Sequence, residues 1–171
     1  MEIIIPESDM QFGKYSENQF FYMEDSEQYK EKLRQNGVRS CEFVLLRGNR
    51  LCFIEAKKSC PHQITADSSN EKKKKYHEYI QEIVEKMRHS LELYANIVMK
   101  RYSQSGVPEQ MQNVENLDMR LILVVKNAEP AWLDPFRDKF QKELKKEMQI
   151  WKIPDFIILN EEQARKKRFI L

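Results

Sequence analysis

Residues 41–59, CEFVLLRGNRLCFIEAKKS, carry the strongest structural signal in the chain. Residues 41–46 and 51–56 are rich in Val, Leu, Ile and Phe, as buried strands are. Between them lies Gly48-Asn49, a glycine-first pair typical of a two-residue hairpin turn of type II′. We therefore predict a β-hairpin at the centre of a sheet.

A two-residue loop also fixes which residues face each other across the hairpin. Arg47 should face Arg50, and further from the turn Glu42 should face Glu55. Because side chains alternate along a strand, Lys57 should share the face of these two acids.

The predicted acid pair has a chemical consequence. Directly opposed carboxylates lie about 5 Å apart and repel each other, but a divalent cation between them would turn that repulsion into attraction. Lys57 would be close enough to orient a water or to balance the charge of a phosphate. This layout suits metal-assisted hydrolysis of a phosphodiester.

The alternative is that Glu55-Ala56-Lys57 belongs to an ordinary solvated face. Against this, Leu51 and Phe53 precede Glu55 on its own face of the strand, while Ile54 lies on the other. The charges therefore interrupt an apolar strand, and they do not continue a polar stripe.

The spacing of Glu42, twelve residues, then Glu55-Ala56-Lys57 resembles the core signature of the PD-(D/E)XK nuclease superfamily. In its usual form, an acidic residue opens one strand, and Asp or Glu-x-Lys follows on the next strand of a hairpin. This chain differs in two places, since Glu42 stands for the usual Asp and Cys41 for the preceding Pro.

The resemblance implies a restriction-endonuclease-like α/β fold, with a mixed central sheet flanked by helices on both faces, in a single domain over residues 1–171. It implies Mg²⁺, with Mn²⁺ as a substitute, held by Glu42, Glu55 and the backbone carbonyl of Ala56. Lys57 would position or deprotonate the attacking water. Relatives often add an acid from an N-terminal element, for which we choose Glu24 because it follows an apolar run. The implied substrate is nucleic acid, DNA before RNA, with a homodimer or a partner subunit as an option.

The rest of the chain predicts an alternation of strands and helices that agrees with an α/β sheet. We expect a strand at residues 3–6 stopped by Pro6, a loop at 7–14, and a strand or helix start at 18–23. A helix at about 26–35 follows, and a long helix at about 71–101 capped by Ser68. Beyond a loop at 103–116, we expect a strand at 119–125, a helix beginning at Asp134-Pro135, a strand at 154–159 and a short helix at 161–167.

Several basic residues are weaker candidates for contacts with nucleic acid. Four lysines open the long helix, where positive charge opposes the helix dipole and would be able to bind phosphates; a solvated turn explains them equally well. Lys86 is expected to border the cleft, and His89 to be a boundary residue. The full set is Lys58, Lys72, Lys73, Lys74, Lys75 and Lys86.

Composition sets the outer limits. The chain has 171 residues, a net charge of +2 and 41% hydrophobic residues, so any nucleic-acid site must come from local clustering of charge. No apolar run approaches about 18 residues, and the N-terminus lacks the pattern of a secretory signal. Three cysteines without a Cys-x-x-Cys pair favour reduced thiols over a disulfide framework or structural zinc. We expect a cytoplasmic protein without a membrane partner.

Two other functions remain open. One is that the chain keeps the nuclease fold as a catalytically inactive module that binds protein or nucleic acid within a larger complex. The other is that the chain is a metal-free small-molecule binder, although no glycine-rich phosphate loop is present.

Overall fold

The structure is a computed structural model that describes residues 1–171. Seven strands and five α-helices follow one another along the chain: β1 (Glu2–Glu7), β2 (Met10–Ser16), β3 (Phe20–Phe21), β4 (Phe43–Arg47), β5 (Arg50–Ser59), α1 (Asn70–Val98), α2 (Glu109–Gln112), β6 (Asp118–Asn127), α3 (Pro130–Glu143), α4 (Lys145–Ile150), β7 (Phe156–Asn160) and α5 (Glu161–Lys166). The α/β class is therefore confirmed.

Strands β3 to β7 form one mixed sheet in sequence order. β3, β4 and β5 pair antiparallel, whereas β5, β6 and β7 pair parallel. The change of direction follows from the connections, since parallel neighbours need a long crossover. α1 supplies the crossover between β5 and β6, and α3 and α4 supply the one between β6 and β7.

The predicted hairpin is confirmed, including its register between Arg47↔Arg50 and Phe43↔Ile54. Gly48 has φ +61°, the left-handed conformation that the first position of a type II′ turn requires. The register does not continue regularly to Glu42, however. Its N–H donates to the carbonyl of Ile54 (3.0 Å), the residue already paired with Phe43, as happens at a β-bulge. The prediction of a directly opposed Glu42–Glu55 pair is therefore wrong in detail.

Two apolar layers lie on the two faces of the sheet. The larger one packs α1 and α3 against the sheet through residues such as Ile83, Phe136 and Phe53. The other face is covered mainly by the β1–β2 hairpin, where Phe12 is fully buried, and only Ala164 of α5 joins it. The expectation of helices on both faces holds only in this reduced form.

The N-terminal predictions were partly wrong. Pro6 lies within β1, and residues 7–14, expected as a loop, mostly form β2 and its turn. Ser8 and Asp9 both have positive φ, 50° and 60°, which makes them a two-residue hairpin turn of the type I′ kind. The helix expected at 26–35 is a π-helical turn, Tyr29–Leu33, followed by a 3₁₀ turn.

Two helix starts also differ from prediction. Ser69, not Ser68, caps α1 by accepting the N–H of Lys72 (3.2 Å), because the Ser68 hydroxyl accepts the N–H of Thr65 instead. α3 begins at Pro130, and Pro135 lies inside it. Proline suits the first helical position, and in the structure Pro130 takes that position in place of the predicted Pro135. No helix is both long and apolar enough to cross a membrane.

Candidate metal centre

Three elements bring the candidate residues together. Glu42 lies just before β4, Glu55 and Lys57 lie in the second half of β5, and Lys86 projects from α1. The Nζ atom of Lys86 is 2.8 Å from Oε1 of Glu55 and 3.8 Å from Oε1 of Glu42. The structure therefore brings the two predicted acids together around one ammonium group.

Both acids are buried and incompletely satisfied. Glu55 is 0% exposed and Glu42 is 6% exposed. Their Oε2 atoms are buried without a hydrogen-bond partner. Buried carboxylate oxygens are almost always bonded, so two orphan oxygens in one site point to a missing positively charged or hydrogen-bonding group.

The electrostatics of the site agree with this. Burial raises the pKa of Glu55 to about 7, although the charges of Lys86 and Lys57 oppose the rise. Burial also raises the pKa of Glu42, helped by a hydrogen bond with Glu24 and by the charge of Glu55. Despite burial, the charges of Glu55 and Glu42 hold the pKa of Lys86 above its ordinary value. In the metal-free site both carboxyl groups therefore keep their protons to higher pH than usual, and a bound cation would displace those protons.

Lys57 shares the face of Glu55, as predicted, with its Nζ atom 3.6 Å from Oε1 of that residue. Its direct partner is Glu82 of α1, at 2.5 Å. Burial would raise the pKa of Glu82, but the hydrogen bond and charge of Lys57 hold it below its usual range. Glu82 therefore positions the lysine beside the acid pair.

Glu24 reaches the site as predicted. Its backbone N–H donates to the carbonyl of Glu42 (3.1 Å), which aligns the two residues. Carboxylate oxygens of Glu7, Glu24 and Glu42 all lie within 4.8 Å of one another, a spacing at which a hard cation can bind all three. Glu7 is held in place by the hydroxyl of Tyr22, which donates to its Oε1 at 2.7 Å.

The backbone carbonyl of Ala56 is the third predicted ligand. Ile54, two residues earlier, directs its carbonyl towards the β4 side, where it accepts the N–H of Glu42. Backbone groups two residues apart on a strand face the same neighbour, and β4 has ended before it reaches Ala56. The carbonyl of Ala56 therefore faces the same side as Glu42.

Serine and histidine on α1 anchor the chain that leads into β4. Ser90 accepts the N–H of Cys41 (2.7 Å) and donates to the carbonyl of Lys86 (2.6 Å). His89 accepts the N–H of Arg39 through Nδ1, which fits the expected boundary role. These bonds tie Glu42 to the helical turn that carries Lys86.

The other predicted lysines lie apart from this site. Lys58 pairs with Asp9 on the surface at 2.6 Å. The four lysines at the start of α1, Lys72 to Lys75, belong to an exposed turn where Lys75 pairs with Glu71. Lys75 precedes Lys86 by eleven residues, about 16 Å along the helix, so this group does not line the acid pair.

Two residues of the site, Glu82 and Glu7, were not predicted from the sequence. Glu82 lies one helical turn before Lys86, so its spacing on the helix was a usable signal. Glu7 lay in a segment expected to be a loop, and nothing local distinguished it. Lys86, treated as a peripheral cation, is the central one.

The chain matches no protein-family model, no curated protein and no solved structure.

Proposed function

We propose that this protein is a metal-dependent nuclease of the PD-(D/E)XK superfamily with a restriction-endonuclease-like fold, and that it hydrolyses phosphodiester bonds, DNA before RNA. The observation that carries the proposal is the pair of orphan carboxylate oxygens on Glu42 and Glu55. Burying two carboxylate oxygens without partners is unfavourable, and a cation bound between the acids would offset that cost.

The donor set fits Mg²⁺, which prefers oxygen ligands and retains waters for a phosphate to replace. Glu42 and Glu55 would hold the ion, with the carbonyl of Ala56, and Glu24 or Glu7 completes the set from the other side of Glu42. A bound Mg²⁺ supplies Lewis-acid polarisation of the phosphate and lowers the pKa of water.

The two lysines of the site have different proposed roles. The ammonium group of Lys57, held by Glu82, orients the attacking water and stabilises the negative charge that develops on the phosphate. Lys86 balances Glu55 and Glu42 before the ion binds. On binding, Lys86 must give up part of this contact, since both cations are attracted by the same oxygens.

The sheet supports the assignment independently of the acid pair. An antiparallel hairpin carries the two halves of the signature, and a long helix then leads to a parallel strand. This order of elements agrees with the fold that the resemblance implies.

The proposal is tested by incubating the protein with supercoiled plasmid, linear DNA and single-stranded RNA, with Mg²⁺, with Mn²⁺ and with EDTA. We expect metal-dependent cleavage that falls by at least about 100-fold in Glu55→Gln and Lys57→Met, because the first removes a metal ligand and the second removes the cation that stabilises charge on the phosphate. Asp138→Asn, at an exposed carboxylate on α3, is the matched control. Equal cleavage by the wild type and both site variants would contradict the assignment.

A second function is favoured by one observation, the position of Lys86. Its ammonium group already lies between the acids, where it would substitute permanently for a metal in a catalytically inactive module that binds protein or nucleic acid. In that case the wild type binds no Mg²⁺ in calorimetry, whereas Lys86→Ala does. If the protein is a nuclease, the wild type itself binds Mg²⁺.

A further inference from the structure

A second concave site lies on the opposite face of the sheet from the metal centre. It is a cavity of about 440 Å³ at the start of β5 and β6. Three arginines and a lysine line it: Arg47, Arg50, Arg120 and Lys167. From Arg50 to Glu55 is five residues along β5, about 17 Å, and the odd spacing places the two side chains on opposite faces.

The arginines converge because of the sheet register. Arg47 and Arg50 are a directly opposed pair across the hairpin, and Arg120 pairs with Cys52 on the parallel neighbour. Burial raises the pKa of the Cys52 thiol to about 11, and the charges of Arg47, Arg120 and Arg50 each oppose that rise. All three guanidinium groups therefore lie close enough to the buried Cys52 thiol to affect its pKa.

This concentration of charge is not compensated by the protein. Arg47, Arg50 and Lys167 have no carboxylate within 4.0 Å, and Arg120 has only the exposed Asp118 at 3.8 Å. Opposed like charges destabilise a sheet. The chain otherwise has nearly balanced charge, with 29 basic and 27 acidic residues, so the cluster is a local excess that an anion would relieve.

Part of the cluster is already ordered. Arg47 donates from Nη1 to the carbonyl of Lys167 (2.8 Å), and its guanidinium group lies 4.4 Å from the centre of the Phe169 ring. Guanidinium has five N–H donors, so most of those on Arg47 remain available for an anion. A held arginine loses little entropy when it binds a phosphate.

The apolar wall of the cavity indicates the chemistry of the part of the ligand that does not contact the arginines. Ile122, Ile157 and Phe169 provide an apolar side next to the cations, and small-molecule sites typically combine such walls with a few charged groups in about 300–1,000 Å³. We infer that this cavity binds a nucleoside phosphate, with the phosphate on the arginines and the base against the apolar wall. The inference does not depend on the proposed nuclease function, because the two sites share no residue.

Isothermal titration calorimetry with AMP and with inorganic phosphate, in EDTA, tests the inference. We expect saturable AMP binding that is tighter than that of phosphate, and a Kd weakened about tenfold or more in Arg50→Gln and in Arg120→Gln, since each removes charged hydrogen bonds. Arg137→Gln, at a partly exposed arginine of α3 that lies outside the cavity, should bind AMP as the wild type does. A trinucleotide with and without a 5′-phosphate distinguishes a strand end from a free nucleotide as the source of the ligand.

Three results would overturn the inference. The first is no saturable binding of either AMP or the 5′-phosphorylated trinucleotide. The second is equal affinity for AMP and inorganic phosphate, which would leave the apolar wall without a role. The third is an unchanged Kd in both Arg50→Gln and Arg120→Gln. Because the titration is run in EDTA, a failure here leaves metal-dependent cleavage untouched, and an inactive metal centre leaves this result untouched.

Discussion

Replacing Lys86 by methionine should destabilise the metal-free protein at high pH and not at low pH. Lys86 has a side chain that is 13% exposed, and it pairs with Glu55, which is 0% exposed. Methionine keeps most of the apolar stem of lysine and removes the charge. The variant therefore isolates the electrostatic part of the contact.

The size of the effect follows from the pKa of Glu55. That pKa lies at about 7 in the folded protein against an ordinary 4.5, so stability falls by about 3 kcal/mol as pH rises from 4.5 to 7. Without Lys86, the pKa of Glu55 rises further and the fall continues to higher pH. Breaking a buried ion pair typically costs about 3–5 kcal/mol, and we expect about 3 kcal/mol at pH 8.5.

At pH 5 the outcome should differ, because Glu55 is protonated in both proteins and the ion pair is absent. The loss should then be under about 1 kcal/mol. Urea denaturation in EDTA at pH 5 and pH 8.5 measures both values, and at pH 8.5 Tm should fall by about 6–12 °C.

Lys58→Met is the matched control for this experiment. Lys58 and Asp9 form an exposed pair, with side chains 65% and 55% exposed, and such pairs contribute little to stability because solvent screens them. The Lys58 hydrogen bond and charge hold the pKa of Asp9 below its ordinary value, so the small effect should be equal at both pH values. A loss in Lys86→Met that is the same at pH 5 and pH 8.5 would show that the Lys86–Glu55 ion pair is not its cause.

Three further predictions follow from the same structure. Glu42→Gln should stabilise the metal-free protein at pH 8, because burial, the hydrogen bond with Glu24 and the charge of Glu55 raise the pKa of Glu42. The same variant should weaken Mg²⁺ binding by at least about tenfold. Thermal denaturation with and without Mg²⁺ measures both effects, and a metal-free variant less stable than the wild type would contradict the predicted stabilisation. Mg²⁺ affinity should rise from pH 6 to pH 8.5, because binding releases protons from the site. Calorimetry in two buffers of different ionisation enthalpy should therefore give different heats of binding. Equal heats would mean that no proton is released. Gly48→Ala should cost about 1 kcal/mol in urea denaturation because of the positive φ at this turn, and an unchanged midpoint would mean that the turn tolerates a side chain.

The central hairpin was predictable because its information is local. A glycine-first pair between two apolar runs sets both the turn and the register, and the structure confirms them from Arg47↔Arg50 to Phe43↔Ile54. The β1–β2 hairpin was not predictable in the same way. Its turn, Ser8-Asp9, uses two residues with positive φ and contains none of the glycine that normally marks such turns.

The convergence of the two acids was predictable from the sequence, but their exact arrangement was not. Glu42 and Glu55 do converge, but a shared hydrogen bond to Ile54 shifts Glu42 out of the regular ladder. The central position of Lys86 depends on how α1 packs across the sheet, and no local pattern in the sequence encodes that packing. Glu7 reaches the site from a strand on another sheet, which only the tertiary fold brings near.

The most direct test of the metal centre is the anomalous scattering of Mn²⁺ in soaked crystals of the wild-type protein. We expect one strong peak at about 2–2.5 Å from carboxylate oxygens of both Glu42 and Glu55, with the ammonium group of Lys86 displaced from its 2.8 Å contact. No peak at a saturating concentration of Mn²⁺, with Lys86 still between the two acids, would contradict it.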